Sequence, residues 1–276
     1  MRSSYLALRK ELLESRLLLR CDISIADSYT SQSQRSRIIS ESWFRSFGYC
    51  LSCDSNELRP TTPNTRASDF VCPECDQSYE LKSFALKPKR SLVDGAYSAM
   101  MSRIKSGDAP TLMLLERSQA WDVRSLTALH GSFLTPGVLV QRKALSPGAR
   151  RAGWVGCNIR LDLIAADAQI PVVKDGRPSE PNVVRAAFRQ FNRLGDLGLN
   201  ARGWATLTLR MIRSLGADAF SLDDLYRRER LFSTVYPMNR NVRAKIRQQL
   251  QVLRDLGYVE FCGRGTYRLL IKVASS

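Results

Sequence analysis

Apolar residues recur at helical spacing in the first fifty residues and as short runs further along the chain. Residues 1–20 place leucines at helical spacing among mixed charges, and they predict either an amphipathic helix that packs on the body or a poorly ordered extension. A second helical pattern lies within residues 24–49. Its apolar side chains fall on one face, formed by Ile38, Ile39, Trp43 and Phe44.

Further along, residues 94–104 predict a helix that packs small residues and methionines closely. Three apolar runs bounded by turns predict strands, at residues 111–115, 138–140 and 170–173. Residues 174–200 are charged and weakly periodic except for a helix over 182–194, and they indicate a connector. Helices interleaved with strands predict a mixed α/β body, for which we expect a domain of residues 1–185.

The last quarter of the chain is helical and then extended. One predicted helix has Trp204, Leu207, Met211, Ile212 and Leu215 on its buried face. Ser221 and Asp224 have the spacing of a capping box at the start of a second helix, which Pro237 ends. Residues 239–255 predict a third helix, and residues 258–270 a hairpin that turns at Gly263-Arg264-Gly265. This order predicts a winged helix over residues 200–276.

The net charge of the chain limits the classes of binding partner. The chain has 42 lysines and arginines against 26 acidic residues, a formal net charge of +16 with a pI near 9.9. Such an excess indicates a polyanion, with nucleic acid first and an anionic membrane surface second. No apolar run is long enough for a membrane span or a signal peptide, so we expect a cytoplasmic protein without a membrane partner.

Histidine and cysteine restrict the chemistry. The single histidine, His130, excludes a Ser-His-Asp triad and any site that needs two histidines, and it is interpreted as a surface loop residue. Two C-x2-C pairs separated by eighteen residues have the spacing of a structural zinc site with four thiolate ligands. Its predicted ligands are Cys50, Cys53, Cys72 and Cys75. The other three cysteines are scattered, which is typical of a reducing compartment.

An acidic-acidic-basic pattern overlaps the second cysteine pair. Asp69 precedes this pair and Glu80-Leu81-Lys82 follows it, so a zinc-pinned hairpin would bring them together. Because side chains at i and i+2 share one face of a strand, Glu80 and Lys82 point the same way and Leu81 points into the core. Asp69, Glu80 and the Leu81 carbonyl would then bind Mg²⁺, and Lys82 would position or help to deprotonate a water. Alternatively, Glu80 and Lys82 form a solvated cross-strand pair.

Two further positions have open alternatives. Glu41 lies on the first predicted helix and either adds a carboxylate to this metal site or belongs to a solvated face. Trp154 lies between glycines in the cationic stretch 142–159, where a planar group could approach its ring while Arg150 and Arg151 bind phosphates. The alternative is that Trp154 is an ordinary core aromatic.

The third helix of the winged helix presents donors typical of major-groove recognition. They are Arg240, Asn241, Arg243, Arg247 and Gln248, with Ala244 between them. Arg264 at the wing tip is placed for phosphate or minor groove. The alternative is a solvated helix face in a winged helix that binds protein.

Several long motifs have no general physical reason to recur. They are SYTSQSQRSRI, ESWF, YCLSC, SDFVCPEC, YELKS, DGAYSAMMSRI, QRKALSPGARRAGWVGCNI, ARGW, KIRQQLQVLRD and CGRGTYR. With them the chain resembles the DpnI-like methyl-directed restriction endonucleases, which cut GATC sites whose adenine carries an N6-methyl group. The resemblance implies a PD-(D/E)xK nuclease domain followed by a winged helix that also binds the methylated site.

That resemblance assigns roles by position. Asp69, Glu80 and Lys82 fall on the catalytic positions, and the four cysteines fall on the zinc ligands. Ser68 stands where the motif's name has proline. The leading hypothesis is therefore a monomeric, Mg²⁺-dependent type II endonuclease for adenine-methylated double-stranded DNA, with Trp154 in a pocket for the methylated base. The second hypothesis is a zinc-containing winged-helix DNA-binding regulator without catalysis.

Overall fold

The computed structural model describes residues 19–62, 68–86, 88 and 90–270. Most of the helix predicted over residues 1–20 lies outside these residues. Contacts divide the chain into two compact units. Unit one contains the described residues up to Pro88 together with Pro110–Leu129 and Ile170–Arg189. Unit two contains Lys89–Ala109, His130–Gln169 and the chain from Gln190 onward, as far as these are described.

The described residues form eight α-helices and thirteen strands. The helices are α1 (Gln32–Phe47), α2 (Tyr97–Ser106), α3 (Pro181–Arg189), α4 (Asn192–Gly195), α5 (Leu199–Arg213), α6 (Leu222–Tyr226), α7 (Glu229–Val235) and α8 (Val242–Asp255). The strands are β1 (Arg59–Pro60), β2 (Phe70–Val71), β3 (Ser78–Phe84), β4 (Ser91–Ala96), β5 (Thr111–Arg117), β6 (Val123–Leu129), β7 (Leu139–Gln141), β8 (Gly156–Arg160), β9 (Gln169–Lys174), β10 (Arg177–Pro178), β11 (Ala219–Ser221), β12 (Val259–Gly263) and β13 (Thr266–Leu269).

Unit one is built on a seven-stranded sheet in the order β1-β2-β3-β5-β6-β9-β10. Strand β5 runs parallel to β3 and antiparallel to β6. Its residues from Leu112 to Leu115 are at most 1% exposed, which explains the unbroken apolar run because both faces of a central strand are covered. The sheet therefore holds β3, with Glu80 and Lys82, beside the most buried strand of the unit.

Helix α1 covers part of this sheet with one apolar face. Ile39, Trp43, Phe44 and Phe47 are buried, which is the face that the sequence predicted apart from the half-buried Ile38. The ring of Phe44 meets Phe70 of β2 edge to face at 5.0 Å. Gly48 ends the helix, and a Cβ there would lie 2.6 Å from the Phe44 carbonyl oxygen, so only glycine fits this exit.

Unit two contains a three-stranded antiparallel sheet in the order β4-β8-β7. Helix α2 directly follows β4 in the chain. The helix predicted over 94–104 is wrong at its start. Residues 94–96 lie in β4, where Asp94 pairs with Cys157, and the helix begins at Tyr97. The main-chain pairing with β8 outweighs the weak helical pattern of those three residues.

The C-terminal part of unit two is a winged helix, as predicted. Helices α5 and α8 pack together, and β11, β13 and β12 form the wing sheet. The capping box predicted at Ser221 and Asp224 is present. The hairpin turns at Arg264-Gly265, where both residues have positive φ, as a tight two-residue turn requires.

Three predictions about the C-terminal half need correction. The helix predicted between Ser221 and Pro237 is divided into α6 and α7. Helix α8 begins at Val242, so Arg240 and Asn241 precede it and Asn241 is its N-cap. The helix predicted over 182–194 within the connector is divided into α3 and α4, and Val184, Arg185 and Phe188 of α3 are buried in unit one. None of the described helices is long and apolar enough to cross a membrane.

Candidate nuclease centre, metal centre and nucleic-acid interface

A short hairpin brings together the three residues of the acidic-acidic-basic pattern. Strands β2 and β3 pair antiparallel, and the Asp69 amide donates to the Tyr79 carbonyl at 2.9 Å. The Leu81 amide in turn donates to Asp69 Oδ2 at 2.9 Å. The Asp69 carboxylate is therefore held against the backbone between Glu80 and Lys82, as a hairpin closed between the two motifs requires.

Glu80 and Lys82 form an ion pair within this centre. Lys82 Nζ lies 2.6 Å from Glu80 Oε1, and the two side chains are 18% and 10% exposed respectively. Because both are largely buried, the pair differs from the solvated cross-strand pair that the sequence left open. Leu81 does not point into the core as expected. It is half-buried and lines a surface cleft, whereas Glu80 is the more buried residue.

These groups are suited to a hard divalent cation. Asp69, just before β2, and Glu80 on β3 offer carboxylate oxygens, and with the Leu81 carbonyl oxygen they could form a donor set of the kind that Mg²⁺ prefers. Lys82 has an ammonium group within hydrogen-bond distance of the Glu80 carboxylate. The arrangement can hold a metal-bound water next to a proton acceptor or donor.

Glu41 faces the same centre from helix α1. It accepts a hydrogen bond from Arg37 Nε at 2.6 Å and lines the cleft that also contains Leu81 and Lys82. Burial raises the pKa of Glu41 above its usual range, and the negative charge of Asp69 raises it further. Glu41 is therefore partly buried, and its carboxylate interacts electrostatically with that of Asp69.

The four cysteines predicted as zinc ligands form one cluster. Their sulfurs all lie within 4.8 Å of one another, with Cys50–Cys75 at 3.6 Å and Cys53–Cys72 at 3.5 Å. A tetrahedral zinc with Zn–S bonds of about 2.3 Å has sulfur–sulfur edges of about 3.8 Å, so these distances fit the metal. Backbone amides of Cys53 and Glu74 point at the Cys50 and Cys72 sulfurs at 3.4 Å. Such donors stabilise thiolates.

Two side chains connect this cluster to the rest of unit one. The Tyr79 hydroxyl lies 3.3 Å from Cys50 Sγ and accepts from the Leu51 amide at 2.8 Å, and burial beside Cys50 raises its pKa well above the usual value. Arg185 of α3 donates to the carbonyls of Cys50 and Ser55 and to Asn56 Oδ1. Sequence reasoning missed both roles, because Arg185 lies in no recognisable motif and Tyr79 was considered only as part of YELKS.

Trp154 belongs to unit two and precedes β8. It is half-buried, and its ring covers Gly156, where a Cβ would lie 2.8 Å from the indole. Arg151 is placed over the ring, with its guanidinium carbon 5.0 Å from the ring centroid, and Arg150 is exposed. Gly156 therefore leaves room for the Trp154 ring. The outward face of the same sheet exposes Val93 and Val140, both paired with Asn158 of β8.

The predicted DNA-reading residues of the winged helix are exposed but not equivalent. Arg243 pairs with Glu229 at 2.7 Å and stacks on Tyr226, whose hydroxyl accepts from Arg247 at 2.9 Å. Tyr226 thus orients two arginines, a role that the sequence did not reveal. The others on this surface are exposed as well: Arg240, Asn241, Gln248 and, on the wing, Arg264.

Two protein-family models match most of the chain. The family model DpnI, described as the Dam-replacing family, matches residues 17–196. The model of its C-terminal domain, described as the Dam-replacing HTH domain, matches residues 200–269. The chain belongs to the Dam-replacing family. Membership in the Dam-replacing family supports a methyl-dependent restriction endonuclease whose C-terminal HTH domain binds DNA.

In this member of the Dam-replacing family, His130 is not the surface residue that the sequence suggested. It is 6% exposed, its Nδ1 accepts from the Ser132 amide at 3.1 Å, and its Nε2 lies 3.2 Å from Asn192 Oδ1. Burial lowers the pKa of His130 to about 4. The ring is therefore neutral near neutral pH and has a structural role.

Proposed function

We propose that this chain is an Mg²⁺-dependent type II restriction endonuclease that cuts double-stranded DNA at N6-methyladenine sites, with GATC as the target. The observation that carries the proposal is the Asp69–Glu80–Lys82 centre on a hairpin beside a four-cysteine cluster, in a basic member of the Dam-replacing family. The proposed division assigns the PD-(D/E)xK nuclease domain to residues 1–185 and the winged helix to residues 200–276.

The proposed roles follow from the chemistry of each group. Asp69, Glu80 and the Leu81 carbonyl would hold Mg²⁺, which supplies charge stabilisation at the phosphate and lowers the pKa of a bound water. Lys82 would position that water and, through its positive charge, favour its deprotonation. The four thiolates would hold a structural Zn²⁺, since together they leave no open position for a reacting water.

Reading one methyl group requires more than one contact. An apolar pocket gains about 1 kcal/mol from a methyl and up to roughly 3 with good packing, so it discriminates about ten- to two-hundred-fold. A palindromic site offers two methyls, and two readers multiply their factors. We assign one reader to α8 and its flanking residues, and the other to Trp154, whose ring would pack on the methylated base edge while Arg150 and Arg151 bind phosphates.

The proposed enzyme acts as a monomer in the cytoplasm. A reducing compartment would keep the thiols of the four-cysteine cluster available to the metal. One chain carries both readers, so a second copy is not required to inspect the site.

The function is tested with plasmid prepared from adenine-methylating and non-methylating hosts and incubated with purified protein and Mg²⁺. We expect cutting of the methylated plasmid alone, with fragments that map to GATC, and no cutting when Mg²⁺ is chelated. Binding of both plasmids without cutting would instead indicate a zinc-containing winged-helix regulator.

The Trp154 reader has a separate test. We expect Trp154→Ala to lower the preference for fully methylated over unmethylated duplex by about ten-fold or more, the value of one good methyl contact. Trp121→Ala, at a tryptophan stacked under Arg117 in unit one, is the matched control for loss of an indole. If the Trp154 variant folds, cuts and keeps its full methyl preference, Trp154 is not a reader.

A further inference from the structure

A cleft of about 210 Å³ lies between helix α1 and strand β3. Its lining consists of Ser33, Ser36, Arg37, Ser40, Glu41, Leu81, Lys82, Ser83 and Phe84. We propose that this cleft binds a phosphate group of the DNA strand being cut, adjacent to the phosphate at which hydrolysis occurs. The inference rests on the proposed nuclease function and adds a second anchoring point for the same strand.

Two hydroxyl groups in the cleft support an anionic ligand. Ser40 is 1% exposed, and its Oγ has no hydrogen-bond partner among the described residues. The same holds for Ser83 Oγ, which is buried at the atom level on β3. A buried hydroxyl without a partner costs free energy, and a ligand oxygen that accepts from it removes that cost.

Arg37 provides the positive charge at the rim. Its Nε donates to Glu41 at 2.6 Å, while its side chain as a whole is 67% exposed. The Glu41 carboxylate, 27% exposed, therefore fixes the direction of the guanidinium and leaves its terminal nitrogens available to an incoming group. Planar guanidinium donors bind phosphate oxygens in pairs, so the arrangement is suited to a phosphate. Glu41 acts here as a positioning residue.

The donor inventory favours a phosphate over a second metal ion. Two cations, Arg37 and Lys82, and four serine hydroxyls line the cleft. Its one lining carboxylate, Glu41, is paired with Arg37, and Lys82 is paired with Glu80 at its edge. A divalent cation placed here would be repelled by Arg37. Lys82 belongs both to this cleft and to the proposed catalytic centre, so a phosphate in the cleft would lie on the same strand as the scissile phosphate.

The experiment uses methylated duplexes in which one phosphate at a time, near the scissile linkage, is replaced by an uncharged methylphosphonate. In wild-type protein we expect one flanking position to lower kcat/KM about 10- to 100-fold, the effect of losing a charge-assisted contact. In Arg37→Gln we expect a similar loss on unmodified DNA but no more than about a twofold further loss at that position. Arg45→Gln, an exposed arginine of α1 outside the cleft, should retain the wild-type response.

Two serine variants and Glu41→Gln test the rest of the cleft. Ser40→Ala and Ser83→Ala should fold with unchanged or higher thermal stability, because an unpartnered hydroxyl is removed, yet they should cut more slowly. Glu41→Gln keeps an acceptor for Arg37 and should lose no more than about fivefold in activity. A loss as large as that of Asp69→Ala would assign Glu41 to the metal and overturn the phosphate assignment.

The outcomes separate the cleft from the nuclease function. If wild-type protein does not cut unmodified methylated duplex, the nuclease proposal fails, and equilibrium binding of the same duplex series then tests the cleft. The cleft proposal is overturned if no flanking methylphosphonate has a larger effect than the others. It is also overturned if Arg37→Gln remains as sensitive as wild type to the critical position.

Discussion

At the scale of single residues, the ion pair between Lys82 and Glu80 lies at the proposed catalytic centre. We expect Lys82→Ala and Asp69→Ala to lower cutting at least about 100-fold, because proton transfer and metal binding act on the scissile phosphate. Binding of methylated duplex should survive, since the base contacts lie elsewhere. Lys105→Ala, an exposed lysine at the end of α2, controls for the loss of one positive charge.

The readouts are single-turnover cleavage and equilibrium binding measured on the same preparations. Far-UV circular dichroism and zinc content of each variant show whether it has folded. Wild-type cutting by either variant would remove Asp69 or Lys82 from the catalytic centre.

His130 makes a prediction about pH. Burial lowers its pKa from 6.5 to about 4. Between these two pH values the folded protein therefore binds fewer protons than the unfolded chain. This group therefore stabilises the fold fully above pH 6.5, and its contribution is lost as the pH falls towards 4. Between about pH 7.5 and 5.5 we expect a loss of roughly 1 kcal/mol in the free energy of unfolding from His130.

His130→Asn removes the titration and retains an acceptor for the Ser132 amide. Denaturant unfolding of both proteins at the two pH values gives the comparison, in which other titrating groups cancel. Equal pH dependence in the two proteins would contradict the pKa assigned to the ring.

At the scale of elements, helix α3 holds the cysteine loop through Arg185, whose guanidinium donates to four acceptors on residues 50–56. We expect Arg185→Gln to weaken zinc binding about 10- to 100-fold, as loss of an outer contact does in other metal sites. Competition with a chelating dye measures this affinity. Arg177→Gln, an exposed arginine of β10 in the same unit, should bind zinc as tightly as wild type.

The same elements show what the sequence could predict. Cysteine spacing, the alternation around Glu80 and the capping box at Ser221 are local patterns, and each predicted its element correctly. Arg185 could not be found this way, because its partners lie about 130 residues away in the chain. A charged residue in a weakly periodic stretch resembles a solvated connector until its burial is known.

Errors at other positions have a related cause. Residues 94–96 continue a helical pattern but pair with β8. His130, in a glycine-containing turn, is buried beside the Phe191 ring of the same unit. In both places tertiary contacts override the local pattern. The catalytic roles of Asp69, Glu80 and Lys82 stay predictions, since geometry alone does not measure chemistry.

At the scale of the whole molecule, charge is distributed unevenly. Residues 201–276 contain 14 lysines and arginines against six acidic residues, about half of the net charge of +16. If the protein neutralises six to ten phosphates, its affinity for DNA should fall roughly 10³- to 10⁵-fold between 50 and 200 mM salt. Fluorescence anisotropy over this range measures the slope of log K against log salt.

Single variants distinguish residues that contact phosphates from residues that contact bases. Arg264→Ala should reduce it by about one and weaken binding to all sequences alike, as loss of a phosphate contact does. Gln248→Ala should leave the slope unchanged and lower only the preference for the target. A reduced slope in Gln248→Ala would indicate that it does not read bases.

The contact between the Tyr79 hydroxyl and Cys50 Sγ bears on when the protein would become active. Tyr79 immediately precedes Glu80, so the strand that carries the proposed catalytic carboxylate is bonded to the cysteine cluster. A newly synthesised chain would therefore be inactive until it binds zinc. In a culture starved of zinc, restriction should appear with a delay set by metal supply, even while the polypeptide accumulates at its normal rate.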